Sequence, residues 1–151
     1  MPAPDDKTAR YFSFFNEIGI ISQLSGRMLE AALPTGFLVS HFAVLNHLVR
    51  RGDGSTPLAL ARAFQVPKTT MTHTLSGLEK AKLIRFAPHP DDGRSKCVML
   101  TDKGRRFRGV AIERLKPELA LMAERFSQDT ITSAVDLLAR MREYLDQRRD
   151  E

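Results

Sequence analysis

The chain has no tryptophan, a single cysteine among its 151 residues, and no long hydrophobic run. One cysteine cannot form an internal disulfide bond, which suits a reducing compartment. No stretch approaches the roughly 18 uncharged apolar residues that a membrane-spanning helix needs. The first residues lack the basic and then apolar order of a signal peptide. These absences predict a cytoplasmic protein with no membrane partner.

Catalytic and metal-ligating patterns are also absent from the sequence. The histidines His41, His47, His73 and His89 never stand four residues apart, and no carboxylate cluster accompanies them. Zinc and related ions need several such ligands at suitable spacing. There is no serine–histidine–aspartate spacing, no glycine-rich phosphate loop and no paired acid at a strand end. The sequence therefore predicts no enzyme, no metal site and no bound cofactor.

Charge is distributed unevenly along the chain. The sequence has 23 Lys and Arg against 18 Asp and Glu, a net charge of +5, and its hydrophobic content of 42% is that of an ordinary globular protein. Between Arg50 and Arg108 there are 13 basic and 5 acidic residues, a net charge of +8, whereas the remainder has a net charge of −3. A basic middle between acidic ends is expected when one lobe binds a polyanion such as DNA.

Apolar periodicity predicts a mainly α fold with a small β-hairpin (α+β), organised as one domain over residues 1–151. A short helix, a tight break, a longer helix with one polar face and a hairpin together predict a winged helix-turn-helix over residues 37–101. The hairpin turn is indicated by the sequence Pro90-Asp91-Asp92-Gly93. The predicted elements are helices over 7–33, 37–50, 57–64, 67–81, 102–125 and 127–147 and strands over 83–87 and 95–100. The predicted N-caps are Thr56, Thr101 and Ser127.

The fourth predicted helix has one apolar and one polar face. Its apolar residues Met71, Leu75 and Leu78 are expected to pack on the third helix, against Leu58, Ala61 and Phe64. Small hydroxyl residues on the opposite face would let the helix backbone enter a major groove, where threonine can contact a base edge or a phosphate. The alternative is a merely solvated face. The predicted DNA contacts of this helix are Lys68, Thr69, Thr70, Thr72, His73 and Ser76.

The hairpin tip is the second candidate for DNA contact. Arg94 stands on a narrow projecting turn, from which an arginine can enter a minor groove. Ser95 and Lys96 follow it and are predicted to contact DNA as well. Asp92 is expected to fix the arginine or the turn. The alternative is a polar hairpin tip with no ligand, since such tips attract charged residues in any protein.

Four segments of the chain resemble the MarR family of bacterial transcription regulators. TPLALARAF at 56–64 is similar to the family's support helix, and KTTMTH at 68–73 is similar to its recognition helix. LEKAKLI at 78–84 is similar to the family's link into the wing. DDGRSKCVMLTDKG at 91–104 is similar to its wing-to-helix signature. Three positions depart from the pattern. Lys82 replaces a usual glycine, His73 stands where arginine is common, and Gly77 falls inside the recognition helix.

The resemblance implies a homodimer in which helices 7–33 and 102–147 of two chains intertwine. The two recognition helices would then read a palindromic operator in double-stranded DNA, about one helical turn apart. It also implies a repressor that releases DNA on binding a small aromatic effector. The expected dimer contacts are Phe12, Phe15, Leu138, Met141 and Tyr144. The expected effector-pocket residues are Phe15, Met28 and His41, for each of which core packing is the alternative.

Three other interpretations remain open. A winged-helix dimer that has lost DNA binding would be a protein-interaction module, and a DNA-binding dimer without an effector would be a constitutive repressor. A salt-sensitive DNA complex separates the first of these from a regulator. Cys97 could sense oxidants, but it has no second cysteine to resolve a sulfenic acid and is expected to be a structural residue of its strand.

Overall fold

The computed structural model describes residues 6–149 and has the predicted order of elements. The helices are α1 (Asp6–Ala32), α2 (Val39–Arg51), α3 (Pro57–Phe64), α4 (Lys68–Lys80), α5 (Asp102–Arg125) and α6 (Gln128–Arg149), and the strands are β1 (Ile84–Pro88) and β2 (Lys96–Leu100). One compact unit ends at Arg114 and a second begins at Leu115, inside α5. The predicted single domain also includes residues 1–5 and 150–151, which lie outside the described residues. No helix within 6–149 is both long and apolar enough to cross a membrane.

Local capping accounts for the helix boundaries. The Ala59 N–H donates to Thr56 Oγ1 (3.1 Å) at the start of α3, the Gly104 N–H to Thr101 Oγ1 (3.0 Å) at the start of α5, and the Thr130 N–H to Ser127 Oγ (3.3 Å) at the start of α6. Each bond satisfies a backbone donor that the first helical turn leaves unpaired. The three predicted N-caps are therefore confirmed.

Helix α2 begins two residues later than predicted. Leu38 has extended backbone angles, and its N–H donates to Nδ1 of His41 (2.9 Å). This bond is one half of a capping box, with histidine in the place of the usual glutamate or glutamine. Leu38 therefore becomes the N-cap, and Phe37 stays outside the helix.

The core of the first unit lies between α2, α3, α4 and the hairpin. Leu45, Leu60 and Leu78 are fully buried there. The predicted packing of Leu58 on α4 is wrong, because Leu58 is 46% exposed. Leu60 lies on the other side of α3 and takes that place, since residues two apart on a helix point in nearly opposite directions. The predicted apolar contacts of α4, Met71, Leu75 and Leu78, are all buried as expected.

The hairpin pairs β1 with β2 in antiparallel register, from Ile84 opposite Leu100 to Pro88 opposite Lys96. The chain before α3 covers the other edge of β2. There the Val98 N–H donates to the Ser55 carbonyl (2.9 Å) and the Leu100 N–H donates to Asp53 Oδ1 (2.8 Å). Pairing on both sides leaves β2 without an open edge, which holds the wing against the helical core.

A tight junction joins α4, β1 and α5. Lys82 is left-handed (φ +61°), its N–H donates to the Glu79 carbonyl and the Leu83 N–H donates to the Leu78 carbonyl, the pattern of a Schellman C-cap. Thr101 Oγ1 donates to the Lys82 carbonyl (2.7 Å), and a Cβ added to Gly104 would collide with the Leu83 carbonyl. The first turn of α5 therefore packs directly on the turn that ends α4.

Candidate nucleic-acid interface

Helix α4 presents a polar surface to solvent on the side opposite its buried residues. All six predicted contact residues of this helix are exposed. Five of them line one shallow groove along the helix. These are Lys68, Thr69, Thr72, His73 and Ser76. Thr70 is exposed beside the groove and does not line it, because it lies on the flank of the helix.

The hydroxyl groups of two threonines are used inside the helix. Thr72 Oγ1 donates to the Lys68 carbonyl (2.9 Å), and Thr74 Oγ1 donates to the Thr70 carbonyl (3.2 Å). Thr74 is buried, but Thr72 is exposed. With its proton committed, the Thr72 hydroxyl offers lone pairs and its methyl group. It can therefore accept from an amino group of a base or contact a thymine methyl.

The wing tip is built around Asp92. Its Oδ1 accepts from the Arg94 N–H (3.0 Å), its Oδ2 accepts from Ser95 Oγ (3.1 Å), and its carbonyl accepts from the Ser95 N–H (3.0 Å). The His89 N–H also donates to the Ser95 carbonyl (3.0 Å). Such side-chain bonds to the following backbone fix the turn. Ser95 is thus half-buried and helps to hold the turn, and its predicted DNA contact stays a prediction.

The two basic residues of the tip differ in their surroundings. The Arg94 side chain is exposed, and among residues 6–149 no carboxylate lies within ion-pair distance of its guanidinium. Lys96 places its Nζ over the ring of Phe86, 5.8 Å from the centroid, a cation–π contact. Asp92 therefore fixes the backbone below Arg94 and leaves the arginine charge available.

His41 connects the start of α2 to α4. Its Nδ1 is held by the Leu38 N–H, and a Cβ built on Gly77 would lie 2.9 Å from its Nε2. The Phe37 ring packs edge-on against the imidazole, with centroids 5.7 Å apart. Burial lowers the pKa of His41, and the charge of His73 lowers it further. Gly77, an unusual residue for the middle of a helix, is therefore explained by close packing.

A cavity of about 560 Å³ opens beside this contact. It is lined by the end of α1, the turn into α2, His41 and His73. Of the three predicted effector-pocket residues, only His41 lines it. Met28 and Phe15 lie further back along α1, at 1.5 Å of helix per residue, and Phe15 packs edge-on against Phe14.

The predicted dimer residues lie on helices with little buried surface. In α1 only Ala32 is buried, and α6 has no buried residue. Phe12 is 71% exposed and Tyr144 is 56% exposed, while Phe15 and Leu138 are also exposed and Met141 is half-buried. Large exposed apolar side chains, on α1 and on α6 each taken by itself, are typical of interaction surfaces.

The remaining residues named from the sequence have structural surroundings. Cys97 is buried in β2 against the core. Among residues 6–149 no group of three or more His, Cys, Asp or Glu side chains could hold a metal ion. Sequence reasoning did not identify Gly104 as a contact residue, although its place three residues after the Thr101 cap was a usable signal. It also did not pair His41 with Gly77, which no local pattern indicates.

Comparison with known proteins identifies relatives of this chain. A family model described as the MarR family matches residues 35–95. Over 104 residues the chain is 32% identical to an uncharacterized HTH-type transcriptional regulator of Mycobacterium bovis, a match that covers 66% of this chain and 71% of that protein. An HTH-type transcriptional regulator of Mycobacterium tuberculosis matches to the same extent.

Solved structures share the fold. The transcriptional regulator BldR from Sulfolobus solfataricus has a TM-score of 0.73 at 21% identity, covering 94% of this chain and 99% of that one. A mutant of MarR from Escherichia coli, solved in complex with operator DNA, has a TM-score of 0.67 at 21% identity, covering 91% and 99%. These similarities confirm the predicted fold class, a mainly helical winged helix-turn-helix with a two-stranded hairpin.

Proposed function

Because this chain belongs to the MarR family of transcription regulators, whose members are not enzymes, we propose that it is a homodimer that binds a palindromic operator and represses transcription. The observation that carries the proposal is the exposed polar face of α4 beside a wing tip whose Arg94 has no ion-pair partner among residues 6–149. Both belong to the part of the chain with a net charge of +8.

Each part of this surface has a role in the proposal. Helix α4 enters the major groove, where Thr72 and His73 contact base edges and Lys68 binds a phosphate near the positive end of the helix dipole. Arg94 enters the adjacent minor groove, whose negative potential is strongest where A·T pairs narrow it. Lys96, whose ammonium group lies over the Phe86 ring, contacts the DNA phosphate backbone beside the wing.

The homodimer accounts for the apolar surfaces of α1 and α6. A helix is stabilised chiefly by packing its apolar side against another element. Within one protomer α6 buries no residue and α1 buries only its end. A second copy of this chain would cover Phe12, Phe15, Leu138, Met141 and Tyr144, and its two-fold symmetry would match a palindromic site.

Release by a small effector belongs to the same proposal. The cavity beside His41 and His73 reaches from the end of α1 to the recognition helix, so a ligand there would contact the element that binds DNA. An aromatic effector would pack on Phe37 and Leu38. No cofactor is needed for DNA binding in this scheme.

The experiment that tests the proposal is a selection of the purified protein on a random duplex library at near-physiological salt. We expect a palindrome with half-sites about one helical turn apart. Thr72→Ala and His73→Ala should change the recovered bases more than the overall affinity. Weak, salt-sensitive binding without sequence preference would contradict the proposal and favour a protein-interaction module.

A further inference from the structure

We propose that His41 is a proton-sensitive positioning residue for the recognition helix: its neutral imidazole seats α4 through Gly77, and its protonation displaces α4 and weakens operator binding. The inference rests on the proposed function in one respect, since operator affinity is one of its two readouts. His41 itself lies in α2 and need not touch DNA.

The hydrogen bond at Nδ1 determines the tautomer of His41. The Leu38 N–H donates to Nδ1 at 2.9 Å, so Nδ1 is an acceptor and carries no proton. In the neutral ring the proton must therefore be on Nε2, the atom that faces Gly77. A second proton can enter only at Nδ1, where it would oppose the Leu38 N–H. Protonation thus replaces a helix-capping hydrogen bond by two donors pointing at each other.

The imidazole of His41 contacts α4 at Gly77. A Cβ on residue 77 would lie only 2.9 Å from His41 Nε2. This distance leaves no room for even a methyl group while the imidazole keeps its position. Because the imidazole is anchored at Nδ1 and packed on Phe37, the ring cannot turn away while the cap is intact. When the cap breaks, the ring must move, and the surface on which Gly77 rests moves with it.

Titratable groups of α4 and α1 surround His41. From α4 it is faced by His73, one turn before Gly77, and at the end of α1 the carboxylate of Glu30 lines the same cavity. Burial and the His73 charge lower the pKa of folded His41, so the unfolded chain binds more protons. The stability from neutral His41 is complete above the ordinary histidine pKa and is lost as pH falls towards the lowered folded value.

The operator test compares two variants that differ only at His41. His73→Gln removes the second imidazole of the cavity, and His41→Gln is then added, since glutamine at this position can still accept from the Leu38 N–H. Affinity for the selected operator is measured between about pH 5 and pH 8 at fixed ionic strength. We expect His73→Gln to lose about tenfold in affinity towards acid and the double variant to stay nearly flat, each relative to its own neutral value. Equal pH profiles would overturn the proposal, because the two variants share every other titratable group.

A second readout needs no DNA and so separates this inference from the proposed function. In ¹H–¹⁵N spectra of the full-length His73→Gln protein, the amide signals of Leu38 and Gly77 should titrate with the midpoint of the His41 ring. In the double variant they should not. If the His41 ring titrates while the Gly77 amide stays fixed, the positioning role is refuted even where operator binding is established.

Gly77→Ala tests the contact at neutral pH. Alanine favours the helix by up to about 1 kcal/mol, yet its methyl group would force the imidazole away. We expect operator affinity to fall without a lower melting temperature, and addition of His41→Ala to recover part of the affinity. Additive losses in this double-mutant cycle would show that the two residues are not coupled.

Discussion

At the scale of single residues, Lys82 shows how a sequence can depart from its family pattern and still keep the fold. The position requires a left-handed backbone (φ +61°), because the Schellman cap of α4 closes only in that conformation. A side chain with a Cβ is strained there, whereas glycine is not. Lys82 therefore keeps the turn of the family, but its backbone conformation is strained.

Lys82→Gly should therefore stabilise the protein. We expect a gain of about 1 kcal/mol in the free energy of unfolding, measured by chemical denaturation at one fixed protein concentration. Lys82→Ala is the matched control, because it removes the same charge and keeps the Cβ. If alanine stabilises as much as glycine, charge and not backbone strain is responsible.

Gly104 illustrates the opposite requirement, the absence of a side chain. A Cβ there would collide with the Leu83 carbonyl and with Leu100 Cδ1. We expect Gly104→Ala to cost about 3 kcal/mol, since backbone cannot yield as a flexible side chain can. Gly109→Ala in the same helix is the control, because nothing lies within 4 Å of its Cβ position. Equal unfolding free energies for the two variants would contradict the close approach.

At the scale of elements, the wing separates the residue that would bind DNA from the residue that shapes the tip. Arg94→Ala should weaken operator binding by about 1–3 kcal/mol, most strongly at A·T-rich flanks, and reduce the salt dependence by about one counterion. Fluorescence anisotropy over a range of salt concentrations measures both. Arg140→Ala, an exposed residue of α6, is the control. An unchanged affinity at every salt concentration would remove the wing from the interface.

Asp92 should affect the same interface through the turn. Asp92→Ala removes the acceptors of the Arg94 N–H and the Ser95 hydroxyl, and we expect about fivefold weaker operator binding from a loosened tip. Asp92→Asn loses the same negative charge but keeps the Oδ1 acceptor. It should bind at least as well as the parent protein. Weaker binding by asparagine than by alanine would exclude the turn as the cause.

At the scale of the whole molecule, the exposed apolar residues of α1 and those of α6 predict a homodimer. Leu138→Asp places a charge on the expected dimer surface, where burial without a partner is costly. We expect it to weaken the dimer at least about a hundredfold, as measured by sedimentation over a range of concentrations. Gln147→Asp adds the same charge at an exposed polar position of α6 and should leave the dimer intact. Dissociation of both variants would point to charge repulsion instead of a lost apolar contact.

Two hydrogen bonds from α5 hold neighbouring helices of the first unit in place. Arg114 Nη1 donates to the Ala32 carbonyl (3.1 Å) and so pairs an otherwise unsatisfied carbonyl at the end of α1. Arg108 donates to Asn46 Oδ1 (2.9 Å) in α2. Through these bonds the first part of α5 joins the end of α1 to α2, the first helix of the winged helix-turn-helix, close to the cavity at His41.

The sequence alone determined the features that short-range chemistry controls. Thr56-Pro57, Thr101 and Ser127 mark helix starts because a cap depends on residues within one turn. The exposed face of α4 follows from helical periodicity, because His73 and Leu75, two residues apart, point in nearly opposite directions whatever the partner.

Only the tertiary structure decided the contacts between residues that are distant along the chain. His41 against Gly77, Gly104 against Leu83 and Arg114 at the end of α1 each depend on how two elements dock. The same docking buried Leu60 and exposed Leu58, although both are leucines on one short helix. Periodicity identifies which residues share a face, but the packing of neighbouring elements selects the face that is buried.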